Sequence, residues 1–448
     1  MSATLENLLR DARTDLVFSR IEKDPKVIDE VIKLVDSDIR SIRFNSIYVL
    51  GEIGEKAGEK GVLKIAKYLN DNDWSIRREA ARSLGQIGSL AKIIVNELTK
   101  LTNDSELSVK GAAIVALGQI GAVNPEVLKC LRRTLKDQNE EIRSKAAESL
   151  GMLGSDAFEA ISDLTNALHD PHWEVRTNAA RAISKIGKGT IKAIPALMNA
   201  LGDHDWRVRF RVMETLAQIG EPTIPYLLKV LNSNNKIIRK CAVETLGELG
   251  IPQDDVLESL SKKLFDKEES IRCKAADSLR TLGEKSLPYL IKILNEAKSS
   301  LKMIILSAIG GLGEKAERVV DVIIKYLNDK NTKVRVEVAR TLGEIGKNSV
   351  KAVNALEKAL LDKKAVVRRE AALALGKIGN LARSAVPSML KMLDDKNPDV
   401  RWRISEALGK IKLNTPEVIN ALKELVKDKC DYVCEAADLA IDNLTSNY

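Results

Sequence analysis

Apolar positions along this chain recur with two periods at once. The short period is helical: in SIRREAARSLGQIG (75–88) Ile76, Ala80, Leu84 and Ile87 fall on one face, and AVPSMLKMLDD (385–395) repeats the stripe with Val386, Met389, Leu390 and Leu393. The long period is close to 33 residues. A hexapeptide of the form xLGxIG returns as VLGEIG at 49, SLGQIG at 83, ALGQIG at 116 and so on to ALGKIK at 407 and a decayed AIDNLT at 440. Its second residue serves as an anchor: Leu50, Leu84, Leu117, Leu150, Ile183, Leu216, Leu246, Leu279, Ile309, Leu342, Leu375, Leu408 and Ile441. The steps between anchors are 33 residues, except for a first step of 34 and two of 30, Leu216 to Leu246 and Leu279 to Ile309. Self-similarity at this period predicts about 13 stacked supersecondary units in place of separate domains.

Each unit reads as two helices. Pro387 suits the first turn of a first helix, where its missing N–H costs little. A turn rich in Asp, Asn and Pro follows, and Asp73 is placed to cap the second helix before Trp74. Gly stands four residues after the anchor in eleven units, where a helix ends and a left-handed residue is needed. Gly also stands one residue after the anchor in nine units, where a missing side chain lets neighbouring helices approach. Two polar slots recur as well. Arg or Lys lies seven residues before the anchor in twelve units (Arg43, Arg77 and Lys110 through Arg401), and Asp lies thirteen before it in ten (Asp71, Asp104 through Asp428). Twelve cations alone would make a phosphate-binding ladder; the equally regular acid predicts a structural Asp–Arg ladder tying turns to helices.

The pattern D-x-D-x-x-V-R-x-x-A-A-x-A-L-G-x-I-G, nearly intact in DNDWSIRREAARSLGQIG (71–88), resembles the HEAT-like repeat of the phycobilisome-lyase type. The resemblance covers almost the whole chain and implies an all-α fold, a right-handed α-solenoid of helix pairs. It implies no single activity, since the fold hosts scaffolds, bilin lyases and an iron-dependent hydroxylase. Residues 1–22 are expected to form an N-terminal capping helix, and 23–448 a single array whose last unit is a degenerate cap ending in DNLTSNY. The two shortened connections, around Glu221 to Pro225 and Glu284 to Pro288, are expected to alter curvature locally between two arms.

If the second helix packs through the anchor and the positions 8, 4 and 3 before and 3 after it, the positions 10, 9, 6, 5 and 2 before and 2 after face outward. In proteins this chain resembles, that stripe lines the concave face, where partners bind. All four tryptophans occupy it: Trp74, Trp173, Trp206 and Trp402, joined by Phe44, Tyr48, Phe210 and Tyr432. Exposed aromatics beside Arg are the residue types that carry interface energy. Two clusters follow, Phe44, Tyr48, Trp74, Arg78 and Arg82 in the first two units, and Trp173, Arg181, Trp206, Phe210 and Arg211 in the fifth and sixth. A smaller site gathers Trp402 and Arg403. The competing reading is that Trp at a helix start merely covers the adjacent unit.

Charge narrows the partner class. The stripe carries 17 basic and 18 acidic residues, so it disfavours nucleic acid along its length. The net charge of +8 sits mostly at residues 301–400, on first helices and turns. No stretch approaches the roughly 18 uncharged apolar residues of a membrane helix, and the opening MSATLENLLRDARTD lacks the regions of a signal peptide. With five dispersed cysteines and no CxxC, this predicts a cytoplasmic protein with reduced thiols, without cofactor, acting as a monomer.

Enzyme readings rank lower. His169, His172 and His204 are the only histidines and lie in the turns of units five and six, a candidate metal cluster that solvated turn residues explain equally well. The hydroxylase would need His–Glu pairs facing a cavity, and the sequence has none. Cys241 and Cys273 are expected in outward slots of adjacent units, with no histidine there to act as base. A non-enzymatic scaffold for protein or peptide partners is the favoured reading, with a bilin-lyase-like chromophore handler as the alternative and a nucleic-acid-associated protein behind it.

Overall fold

An amphipathic helix is stable in water only when its apolar face is covered, and each repeat supplies two such faces. The structure, a computed structural model, describes residues 4–187 and 189–445. The first three residues of the expected cap and the last three of the polar tail lie outside them. Among the described residues there is no strand: the fold is an all-α solenoid of helix pairs. Where one capping helix was expected there are two, α1 (Leu5–Arg10) and α2 (Thr14–Lys23), because the chain turns at Ala12 with a φ of 55°.

By its contacts the chain divides into two units, residues 1–229 and 230–448. In the first, the second helices of the repeats are α3 (Arg40–Glu52), α4 (Trp74–Ile87), α5 (Leu107–Ile120), α6 (Glu140–Met152), α7 (Trp173–Ile186) and α8 (Trp206–Ile219), each packed against the next. The other unit repeats the arrangement with α9 (Lys236–Leu249), α10 (Glu269–Thr281), α11 (Ser299–Gly310), α12 (Thr332–Ile345), α13 (Ala365–Ile378), α14 (Pro398–Ile411) and α15 (Asp431–Thr445). Shorter first helices, such as Val27–Leu34 and Ile161–Ala167 or Asp254–Lys263 and Pro416–Leu425, cover the opposite side of that row. The anchors from Leu50 to Leu408 are buried in the seam between the two rows. Ile441, the last anchor of the described residues, is only half-buried.

Both glycine slots have the physical cause expected of them. Gly88 ends α4 with a φ of 75°, a conformation that a side chain resists. At Gly343 a Cβ would lie 2.8 Å from Cα of Ala374, so α12 and α13 touch backbone to backbone. Gly346 is the exception among the helix-ending glycines, with a φ of −96°. Several full-length repeats link second to first helix through seven-residue 3₁₀ stretches such as Gly154–Ala160 and Gly313–Val319, others through four-residue ones such as Gly54–Ala57 and Thr190–Ala193, and the two short ones use Glu221–Thr223 and Gly283–Ser286. A 3₁₀ helix has about three residues per turn, so these links vary by roughly a turn while the α-helices keep their pattern.

No helix of the described residues is long and apolar enough to cross a membrane.

Candidate functional site

Two polar surfaces flank the core, and they use the same residue types differently. On the turn edge, Arg176 grips the carboxylate of Asp203 through Nε and Nη2 at 2.6 and 2.8 Å, while Nη1 donates to the carbonyls of Asp170 and Pro171 at 2.8 and 3.0 Å. Asp203 also accepts the backbone N–H of Asp205 at 2.8 Å and so braces its own turn. The same bidentate rung joins Arg77 to Asp104, Arg143 to Asp170, Arg239 to Asp266, Arg335 to Asp362, Arg368 to Asp395 and Arg401 to Asp428. Lys110–Asp137 and Lys302–Asp329 are single-contact versions, and Arg43–Asp71, at 3.7 Å, is the loosest. Hydrogen bonds from Arg77 and Arg401 hold the carboxyls of Asp104 and Asp428 below the usual carboxylate range. These forks are occupied by protein acceptors, so the cations form a structural ladder and leave no row of donors for phosphates.

The ladder lapses at two places. The acid slot that follows Arg209 in the sequence holds Ser233, and the one after Arg272 holds Glu296. Both arginines keep the bonds to their own turns, Arg209 Nη1 to the carbonyl of Asp203 at 2.7 Å and Arg272 Nη1 to that of Asp266 at 2.9 Å. These lapses coincide with the two shortened repeats.

The second surface is the outer face of the second helices. In the first cluster, the guanidinium of Arg78 lies 5.4 Å from the ring centre of Trp74, itself 44% exposed, and that of Arg82 lies 5.1 Å from the ring of Tyr48. Tyr48 also meets Phe18 of α2 edge to face at 6.4 Å, and Phe44 is half-buried. Arg82 is tied down by Glu79 at 2.6 Å and Glu52 at 3.2 Å. This cluster is largely partnered within the fold.

The smallest cluster is likewise satisfied. Trp402 packs edge to face on Tyr432 at 6.0 Å, with Arg403 over its ring at 3.8 Å and bound to Glu406 at 2.5 Å.

The cluster on α7 and α8 differs. Trp173 is half-buried, with the Arg207 guanidinium only 3.4 Å from its ring centre; here a tryptophan at a helix start does cover the adjacent repeat. Trp206 is 66% exposed and Phe210 49%. Further along the same two helices a cavity of about 350 Å³ opens between them, lined by Arg181, Lys185, Arg211 and Glu214 among others. Among the described residues six buried side-chain polar atoms lack a hydrogen-bond partner; Arg181 Nε, Arg211 Nε and Glu214 Oε2 belong to residues lining this cavity, and a fourth, Thr177 Oγ1, is also on α7. Glu214 Oε2 lies 2.7 Å from Arg211 Nη1, an ion pair without hydrogen-bond geometry. Buried polar groups are nearly always paired, so four lapses on these two helices mark them out.

One slot behaves otherwise than the helical pattern predicts. The position five before the anchor is drawn into the seam between neighbouring second helices: Glu79 and Glu370 are buried there, paired with Arg82 and Arg340. Cys241, expected outward in the same slot, is buried too. The close approach of these helices turns the slot inward, and Arg three residues after Glu79 was the available signal. Cys273 is exposed, in a cavity of about 510 Å³ with Met303, Ile304 and Glu337. Partial desolvation in that cavity, then Glu269 and Asp277, push its thiol up, away from the thiolate a nucleophile needs. Burial likewise raises the Glu337 carboxyl, which stands 2.9 Å from Arg340. His172 and His204 are exposed turn residues, and among the described residues no group of three or more His, Cys, Asp or Glu side chains is placed to hold a metal ion.

Comparison with known proteins gives a consistent picture. The sequence profile of HEAT repeats matches residues 95–164, 134–194, 161–240, 224–310, 287–376 and 353–441. No curated protein matches the sequence. Solved structures of similar fold include Kap121p bound to Nup53p, at 15% identity and a TM-score of 0.62 over 95% of this chain and 54% of that one. Kap121p bound to Pho4p is alike at 16% identity, a TM-score of 0.61, and 94% and 54% coverage. The chain thus spans about half the length of these proteins.

Proposed function

Because the chain belongs to the HEAT-repeat family, we propose that it is a non-enzymatic scaffold that binds a protein or an extended peptide on the concave side of its solenoid, along the second helices. Finer assignments go with this reading. The repeats are of the phycobilisome-lyase type, on the pattern at 71–88; they form one array over residues 23–448 behind a cap at 1–22; and the protein acts as a monomer in the cytoplasm.

The observation that carries the reading is the pair Trp206 and Phe210, held largely in solvent on α8, the helix whose Arg211 and Glu214 carry buried polar atoms without partners. Large exposed rings beside Arg are costly to keep unless a partner covers them, and such residues dominate interface energies. Solved structures of similar fold hold Kap121p bound to Pho4p and to Nup53p, a use in keeping with a long preformed surface. The test is affinity capture of the partner from the native cell, followed by a titration with the purified partner. The double variant Trp206→Ala with Arg211→Ala is expected to bind more than about tenfold more weakly, with unchanged helicity. Equal affinity rejects the proposal.

A further inference from the structure

The cavity between α7 and α8 has a surplus of donors. Three cations, Arg181, Lys185 and Arg211, line it against one acid, Glu214. The Nε–H groups of both arginines are buried without an acceptor, although Arg211 already holds Glu214 at 2.7 Å through Nη1. The neighbouring uncharged groups make no bond to those donors. The Thr215 hydroxyl is satisfied by the carbonyls of Ala180 and Arg211, and Ser184 donates to Gln218 across the seam. A buried guanidinium N–H without an acceptor is costly, and the chemistry that removes the cost is an oxyanion.

We infer that this seam is a receptor for the carboxylates of an acidic partner segment, with an apolar residue of that segment resting on Trp206 and Phe210. The inference rests on the scaffold reading above and names the chemistry of its partner. A carboxylate matches the planar forks of two arginines and brings one charge; a dianionic phosphate meets stronger repulsion from Glu214, which stays in the cavity. Complementarity is local. The outward slots of the two repeats carry Arg181, Lys185, Arg207 and Arg211 against Glu174 and Glu214, whereas the stripe as a whole is neutral, so a short acidic segment fits where a long polyanion does not.

The probe is a fluorescein-labelled peptide, Glu-Glu-Phe-Glu-Glu, followed by anisotropy on the full chain. It is expected to bind, and replacing its glutamates by glutamines is expected to cost about tenfold or more. Arg181→Gln and Lys185→Gln are each expected to weaken it by about threefold or more, and Lys262→Gln, an exposed cation in residues 230–448, to leave it unchanged. Far-UV circular dichroism checks that the variants fold, and Arg181→Lys is expected to recover part of the binding. Absence of binding, equal binding of the glutamine peptide, indifference to Arg181→Gln and Lys185→Gln, or displacement by inorganic phosphate where acetate fails would each overturn the inference. The natural partner separates the two proposals. If it is lost with Trp206→Ala and Arg211→Ala but kept with Arg181→Gln and Lys185→Gln, the scaffold reading stands and the carboxylate receptor falls. If it ignores the first pair, the scaffold reading falls whatever the peptide does.

Discussion

Arg176 and Arg181 sit five residues apart on α7 and lead opposite lives. Arg176 is 4% exposed, and its guanidinium reaches one carboxylate and two carbonyls. Arg181, on the outer face, has a buried Nε–H that reaches nothing. Position on the helix explains the difference: seven before the anchor points to the turn edge, where most repeats supply an Asp, and two before it points to a seam whose one lining acid, Glu214, is taken by Arg211. Residue type therefore does not separate scaffold from site here. Hydrogen-bond accounting separates this pair: Arg176 is fully engaged in holding the array together, whereas Arg181 keeps a buried donor unspent, as Arg43 does at the loosest rung of the ladder.

Mutation of the two arginines should break the comparison most sharply. Arg176→Ala leaves Asp203 as a buried acid without its partner, and is expected to destabilise the protein by about 3–5 kcal/mol. Arg181→Ala removes a buried Nε–H that has no acceptor, and is expected to be neutral or to stabilise by up to about 1 kcal/mol. Denaturant titration of both variants measures this, and similar losses would dissolve the distinction.

Acid should reveal the ladder next. Asp104 and Asp428 are held below their ordinary range by hydrogen bonds from Arg77 and Arg401, and Asp73, bound by Arg40, is lowered to about 2. A carboxyl whose folded pKa is depressed contributes fully above its unfolded value, near 3.9, and loses that contribution as pH falls through the folded value. Stability measured by denaturant is expected to be level from pH 7 to about 5 and to fall between about pH 4 and 2. In Asp104→Asn the protein is weaker at neutral pH and its fall on acidification is shallower. An unchanged slope would mean the rung contributes little.

Much of this was legible in the sequence, and the limit is instructive. The repeat frame exposed the anchors, both glycine slots, the capping role of Asp73, which accepts the N–H of Ser75 at 2.8 Å, and the pairing of Arg with Asp one repeat on. All of these are periodic, so each is written many times over. What stayed hidden was particular to one seam. A helical wheel treats each second helix alone and places Glu79, Glu370 and Cys241 outside; only the approach of the neighbouring helix turns that slot inward. The wheel also ranks Trp173, Trp206 and Trp402 alike, because it does not contain Arg207 stacked on the first or Tyr432 against the last.

The finest test of the comparison uses two threonines, Thr177 on α7 and Thr215 on α8. Thr215 is buried, with its hydroxyl on the carbonyls of Ala180 and Arg211 at 3.1 and 2.8 Å. Thr177 has a buried Oγ1 with no partner. Valine keeps the shape of both and removes the hydroxyl. In Thr215→Val a made hydrogen bond is lost, at a cost of about 1 kcal/mol. In Thr177→Val an unmade one is lost, so the change is expected to be neutral or to stabilise by up to about 1 kcal/mol. The sign is the point: if α7 and α8 retain unpaired polar groups, removing one relieves the fold. A destabilisation at Thr177 as large as that at Thr215 would mean that its hydroxyl has a partner after all, and the contrast between the ladder and these two helices would lose one of its four supports.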